Sequence, residues 1–184
     1  RHCVERMAGH VLSVEFRHQS WFDGGHAAAT LAFVRELGVV HTVVDGPQGF
    51  SNSVPAIWEV TRPDFALLRL HGRNAAQWWD HEVAEDRYNY LYGPEELEPF
   101  VDVAAAAAAL GKKLYLYANN HFAGNAVANA AQVRARLGDP VEAPFPRTFL
   151  DRCGHGVGGL AASQGRGHGP VRVGRDDNDR QRPA

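Results

Sequence analysis

The chain has 184 residues, 45% of them hydrophobic and 22% charged, which is enough for one domain with a sizeable core, and its formal net charge is −2. That charge conceals a split, since residues 1–145 hold 12 Lys and Arg against 17 Asp and Glu, whereas residues 146–184 hold 7 against 4. An acidic body excludes bulk electrostatic attraction to nucleic acid, so any affinity for anions must come from a local cluster.

Two cysteines, Cys3 and Cys153, stand in no zinc-ligand or redox spacing. No apolar run approaches the roughly 20 residues of a membrane helix, and no signal pattern opens the chain, so a cytoplasmic location is expected. The first residue is Arg1 rather than Met, which reads as a fragment or a processed product.

In chain order, residues 11–17 read as a strand that terminates in Glu15, Arg17 and His18. Asp23 is the expected cap of a helix carrying Ala27, Leu31 and Val34, which Gly38 stops. Residues 39–45 are β-branched and almost continuously apolar, as in a buried parallel strand, and end in Asp45 before Gly46-Pro47. Residues 48–64, with Pro55 and Pro63, read as loop with a short helical turn around Ile57 and Trp58.

The strand at residues 65–71 places Leu68 and Leu70 on one face and Arg69 and His71 on the other. Gly72 and Arg73 follow. Residues 72–93 form a long connection with Trp78-Trp79 and a run of tyrosines, and a connection of this length is usually functional or partly helical. Pro94 with Glu95 and Glu96 opens a helix whose start Pro99 is expected to kink or shift to about Glu98. A strand at residues 113–119 ends in Asn119, Asn120 and His121, and a last helix stops at Gly138. From residue 146 the Gly/Arg-rich composition predicts a disordered tail, with an RNA-binding reading resting only on Arg166-Gly167.

Strands alternating with helices predict an α/β fold with parallel strands. There is no Gly-rich phosphate loop after the first strand, which argues against dinucleotide binding. Polar residues at every strand end favour a TIM-barrel-like fold, here a partial (β/α) barrel of about four parallel strands.

The candidate catalytic residues are Glu15, His18 and His71, because carboxylate and imidazole are the usual proton carriers. Candidate substrate-binding residues are Arg17, Asp45, Arg69, Arg73, Asn119, Asn120 and His121, a donor-rich set suited to phosphate or carboxylate. Taken singly, each could merely tie strand ends together. His18, Asp45, His71 and His121 also make a divalent-metal reading, which the neighbouring arginines oppose. Trp78 and Trp79 either stack on a base or sugar or fill space under the loop.

Two function classes stay open. One is a hydrolase or lyase acting on a phosphorylated, nucleotide-like or sugar-acid substrate. The other is a non-catalytic binder of a small anionic ligand or of single-stranded nucleic acid.

The motifs Glu15-Phe16-Arg17-His18-Gln19-Ser20-Trp21, Arg69-Leu70-His71-Gly72-Arg73-Asn74, Arg87-Tyr88-Asn89-Tyr90-Leu91-Tyr92 and Asn119-Asn120-His121, the last followed by Gly124 and Ala126, together resemble the DUF72 family, also called YecE-like proteins. The resemblance covers about residues 11–137 and implies a TIM-barrel-like fold, of which this chain supplies the later strands. It implies no particular reaction. Asn89 stands where the family commonly has an acid, and the tail matches nothing in it.

Overall fold

A computed structural model describes residues 1–139 and 146–153. Four strands, β1 (Ser13–Val14), β2 (Val40–Asp45), β3 (Phe65–Leu70) and β4 (Lys113–Ala118), form one parallel sheet in the order β1-β2-β3-β4. The helices are α1 (His2–Arg6), α2 (His26–Glu36), α3 (Pro94–Ala109), α4 (Asn125–Arg136) and α5 (Arg147–Cys153). Because the strands are parallel and adjacent, their carboxyl ends share one rim. The fold is the expected α/β arc of a TIM-barrel-like (β/α) architecture.

The helices cover one side of the sheet. Val43, Leu68 and Leu70 pack with Leu97, Phe100 and Val101 of α3 and Val133 of α4, while Phe16, Phe22 and Val39 pack with Leu31 and Val34 of α2. Alternation sends the remaining strand residues to the opposite side. There Val11, Tyr115 and Tyr117 are exposed, and Phe65 stacks on Tyr115 with ring centroids 4.9 Å apart. A lone four-stranded arc is expected not to shield all of Phe16, Val43, Leu68, Leu70 and Leu116, on the premise that they face inward, and the structure places them on the helix side instead. Phe16, Val43, Leu68 and Leu70 are buried under the helices and Leu116 is partly buried there; the uncovered face is the one of opposite parity.

Several local features differ from expectation. The ladder between β1 and β2 comprises only Ser13 with Val40 and Val14 with His41, so β1 is much shorter than residues 11–17. No helical turn forms at Ile57 and Trp58. Instead the segment is pinned along β2 by the Thr61 hydroxyl, which accepts from the His41 amide at 2.8 Å and donates to the Val39 carbonyl at 2.7 Å. The cap of α2 is Gly25, whose φ of +87° suits glycine, and Asp23 offers only its carbonyl to the His26 amide.

Helix α3 begins at Pro94 in spite of Pro99. The Glu96 carboxylate accepts from the Gly93 amide at 2.8 Å to fix the start. Pro99 deprives the Glu95 carbonyl of its partner, and both residues are exposed, so water can take that place. Helix α5 lies inside the stretch expected to be disordered; Arg147 and Asp151 pair across one of its turns at 3.0 Å. Residues 154–184 lie outside the described residues.

Candidate functional site

Glu15 immediately follows β1, His71 follows β3 and Asn119 follows β4, so three strands end by delivering a polar side chain to the same rim. Arg69, the fifth residue of β3, shares the parity of His71. The four side chains meet. The Glu15 carboxylate accepts from Arg17 Nη1 at 2.6 Å on Oε1 and from Arg69 Nη1 at 2.8 Å on Oε2. Arg69 Nη2 donates to Asn119 Oδ1 at 3.3 Å.

That bond turns the Asn119 amide nitrogen toward His71 Nδ1, 3.1 Å away. His71 Nε2 lies 2.9 Å from Arg17 Nη1 and 3.2 Å from Glu15 Oε1, so that nitrogen faces a donor and an acceptor together.

The electrostatics follow from these contacts. Burial alone would raise the Glu15 carboxyl, but the hydrogen bonds from His71, Arg17 and Arg69 outweigh it and hold the group far below the usual carboxylate range. Glu15 is therefore an ionised anchor at neutral pH and a poor proton donor. Burial pushes His71 down, against the opposing bond to Glu15, so the imidazole is neutral at pH 7. Glu15 balances one of its two guanidiniums, and the cluster keeps one net positive charge. Arg17 is 51% exposed and Arg69 39%, so both retain N–H groups open to a ligand.

The other expected site residues lie elsewhere. Asp45 pairs in register with Leu70 and therefore points to the helix side. There it takes a bidentate pair from Arg73, Nε to Oδ2 and Nη2 to Oδ1 both at 2.9 Å, and the Tyr92 hydroxyl donates to Oδ2 at 2.6 Å. Arg73 Nη1 reaches Glu96 at 3.1 Å, and Glu96 also accepts from the Tyr90 hydroxyl. All three guanidinium nitrogens of Arg73 are thus engaged. Burial beside these carboxylates raises the Tyr92 phenol, and raises that of Tyr90 to about 12.

Asn120 is wholly buried and donates to the Tyr90 carbonyl and to Asn129. His18 is exposed and caps the short 3-10 turn Gln19–Trp21 by accepting from the Ser20 amide. His121 is exposed at the rim, its Nδ1 3.0 Å from the Asn119 carbonyl.

Among the described residues no three His, Cys, Asp or Glu side chains are placed to hold a metal ion. His18, Asp45, His71 and His121 do not assemble as a ligand set. His71 and His121 instead flank the Tyr88 ring, with centroids 6.2 and 5.0 Å from it.

The uncovered sheet face continues the site as a groove of about 610 Å³ whose lining includes Ser13, Glu15, Thr42, Arg69, Tyr117 and Asn119. Sequence reasoning passed over Ser13, Thr42 and Tyr117. Tyr117 could have been found, since it alternates with Leu116 and shares the parity of Asn119. The supporting pair Tyr92 and Glu96 carried a signal too, a tyrosine spacing of two before a helix with a carboxylate in its first turn.

The family model described as "protein of unknown function DUF72" matches residues 1–150. The chain is 31% identical over 137 residues to the UPF0759 protein YunF of Bacillus subtilis, an alignment covering 72% of this chain and 49% of that one. It resembles the crystal structure of a DUF72 family protein from Thermotoga maritima with a TM-score of 0.62 and 35% identity, covering 71% of this chain and 47% of that one. For a DUF72 family protein from Enterococcus faecalis the TM-score is 0.69 and the identity 28%, covering 79% and 54%. The chain thus spans about half the length of the relatives it matches.

Proposed function

The chain belongs to the DUF72 family, and from that premise we propose that the rim around Glu15 binds a small anionic ligand, in an enzyme that acts on a phosphate- or carboxylate-bearing substrate. The observation that carries this reading is the cluster's uncompensated positive charge. Two guanidiniums are fixed by one carboxylate, at 2.6 and 2.8 Å, yet both remain partly open to solvent. An anion there gains charge-assisted hydrogen bonds from donors already held in place.

Glu15 orients the arginines. The imidazole of His71, held between Asn119, Arg17 and Glu15, is the proton carrier of the set. Its surroundings keep it from bulk water, since the ring is buried beside Trp78 and Tyr88. Hydrolysis or elimination at a phosphoryl or carboxyl-bearing carbon is the chemistry such a set supports. A non-catalytic anion binder would use the same arginines.

Calorimetric titration with inorganic phosphate and with malonate, on the wild-type chain and on Arg69→Gln, tests binding; saturable binding lost in the variant is expected. Turnover of phosphomonoester and phosphodiester substrates, with and without added divalent metal, tests the reaction. Turnover abolished by His71→Gln supports the enzyme, whereas binding without turnover leaves the binder. Absence of saturable anion binding contradicts both.

A further inference from the structure

A second concavity lies beside the anion site. The loops after β1 and β2 border an open hollow of about 470 Å³ with Gln19, Phe22, Asp23, Gln48, Phe50 and Ser51 in its walls. Two connections tie it to the Glu15 cluster. Gln19 stands two residues after Arg17, so their Cα atoms are at most about 7 Å apart. The second connection is the Trp78-Trp79 pair. The Trp78 ring meets His71 with centroids 6.1 Å apart, and the Trp79 ring meets Phe50 at 6.2 Å, almost perpendicular to it. Adjacent residues therefore reach both places. Trp79 is 56% exposed, which a side chain serving only as core filler would not be.

The polar lining is selective. The Gln19 amide nitrogen donates to the Ser51 carbonyl, and the Gln48 amide nitrogen donates to the carbonyls of Gly46 and Val54. Both nitrogens are engaged in holding the loops. Beyond that the two side chains offer their amide oxygens and one further Gln19 N–H, in the same lining as the Asp23 carboxylate. Amide and carboxylate oxygens in the wall, with Phe50 among the lining residues and the Trp79 indole against Phe50, suit a ring that carries hydroxyl groups: the hydroxyls donate, and the C–H face lies on the aromatic. Asp23 repels an anion. Arg17 and Arg69 attract one.

We propose that this hollow is a second subsite, taking the hydroxylated ring of a ligand whose phosphate sits on Arg17 and Arg69. The substrate class is a sugar phosphate, either free or as the ribose phosphate of a nucleotide. This rests on the anion-site reading above and adds to it the part of the ligand that carries no charge.

Calorimetry on the wild-type chain with inorganic phosphate, ribose phosphate and adenosine monophosphate, repeated on Trp79→Ala and Trp79→Phe, tests it. Stacking on one aromatic corresponds to at least about a fivefold gain in affinity. The wild type is expected to bind ribose phosphate or the nucleotide at least about fivefold more tightly than phosphate. Trp79→Ala should remove that preference without changing the affinity for phosphate, and Trp79→Phe should restore most of it.

A nucleotide bound more tightly than ribose phosphate assigns the nucleotide, and equal affinities assign the free sugar. If phosphate binds but the ring adds nothing, or if Trp79→Ala leaves the ratio intact, the second subsite is overturned and the anion site survives. If phosphate itself fails to bind, both are overturned.

Discussion

Glu15→Gln is the substitution that bears most closely on how the site is held. The carboxylate is only 16% exposed and receives Arg17, Arg69 and His71. A glutamine keeps the shape, but its amide nitrogen must face a guanidinium N–H on one side. One charge-assisted hydrogen bond is lost there, and the other becomes a bond to a neutral acceptor. Charge-assisted bonds contribute about 1.5–3 kcal/mol and neutral ones about 0.5–1.5 kcal/mol, and the middle of those ranges gives about 3.5 kcal/mol. Arg17 and Arg69 are 51% and 39% exposed and can turn to water, so the expected loss falls to about 2 kcal/mol.

The loss should depend on pH in a defined direction. Glu15 is held below its unfolded value, so its contribution is complete above the unfolded carboxylate pKa of about 4.3 and disappears as pH falls toward the folded value. Urea unfolding followed by tryptophan fluorescence, for wild type and variant from pH 7 to pH 3, measures this. The gap should be about 2 kcal/mol at pH 7 and narrow on acidification. A variant as stable as wild type at pH 7, or a gap that does not change with pH, would refute the reasoning.

Gly72→Ala should cost about 2–4 kcal/mol in the same unfolding assay, because Gly72 has φ +90° and an added Cβ would lie 2.8 Å from the Tyr90 Cβ; a cost below 1 kcal/mol would show that Tyr90 yields freely. Burial pushes His41 down, and neither ring nitrogen has a well-formed hydrogen bond. Its neutral form favours the folded state above about pH 6.5, and that contribution is lost as pH falls through the folded value. His41→Phe should thus flatten the acid limb of stability below pH 6.5, and an unchanged limb would assign it to other groups. The face carrying Val11, Leu67, Tyr115 and Tyr117 has no covering layer among the described residues, so the chain should self-associate in ultracentrifugation and bind a hydrophobic dye, both reduced by Leu67→Lys with Tyr117→Lys. A compact monomer that binds no dye would contradict this.

Much of the architecture was legible because it rests on period-two and helical spacing. Each strand from β2 to β4 ends within one residue of the expected place, and the parity of Arg69 and His71 follows from alternation alone. Register is different. That Asp45 lies beside Leu70, and so faces the helices with Arg73 rather than joining Glu15, depends on cross-strand pairing that a single strand does not encode. His18 illustrates another limit, since proximity in sequence to Glu15 and Arg17 says nothing about which way a side chain turns once the strand has ended. Pro99 leaves the start of α3 at Pro94 rather than near Glu98, because the penalty for an interior proline depends on whether water can reach the orphaned carbonyl. The uncovered face was assigned the wrong parity for want of knowing which side the helices take.

The central claim is that Arg17 and Arg69, which share the single carboxylate of Glu15, bind an anion, while Arg73, paired with both Asp45 and Glu96, does not. Nitrogen-detected NMR of the arginine Nε–H groups during titration with inorganic phosphate reads this directly. Saturable shifts at Arg17 and Arg69, with Arg73 unmoved in its pair with Asp45 and Glu96, are predicted. Saturable shifts at Arg73 with none at Arg17 or Arg69, or no saturable shift at any arginine, would contradict the account.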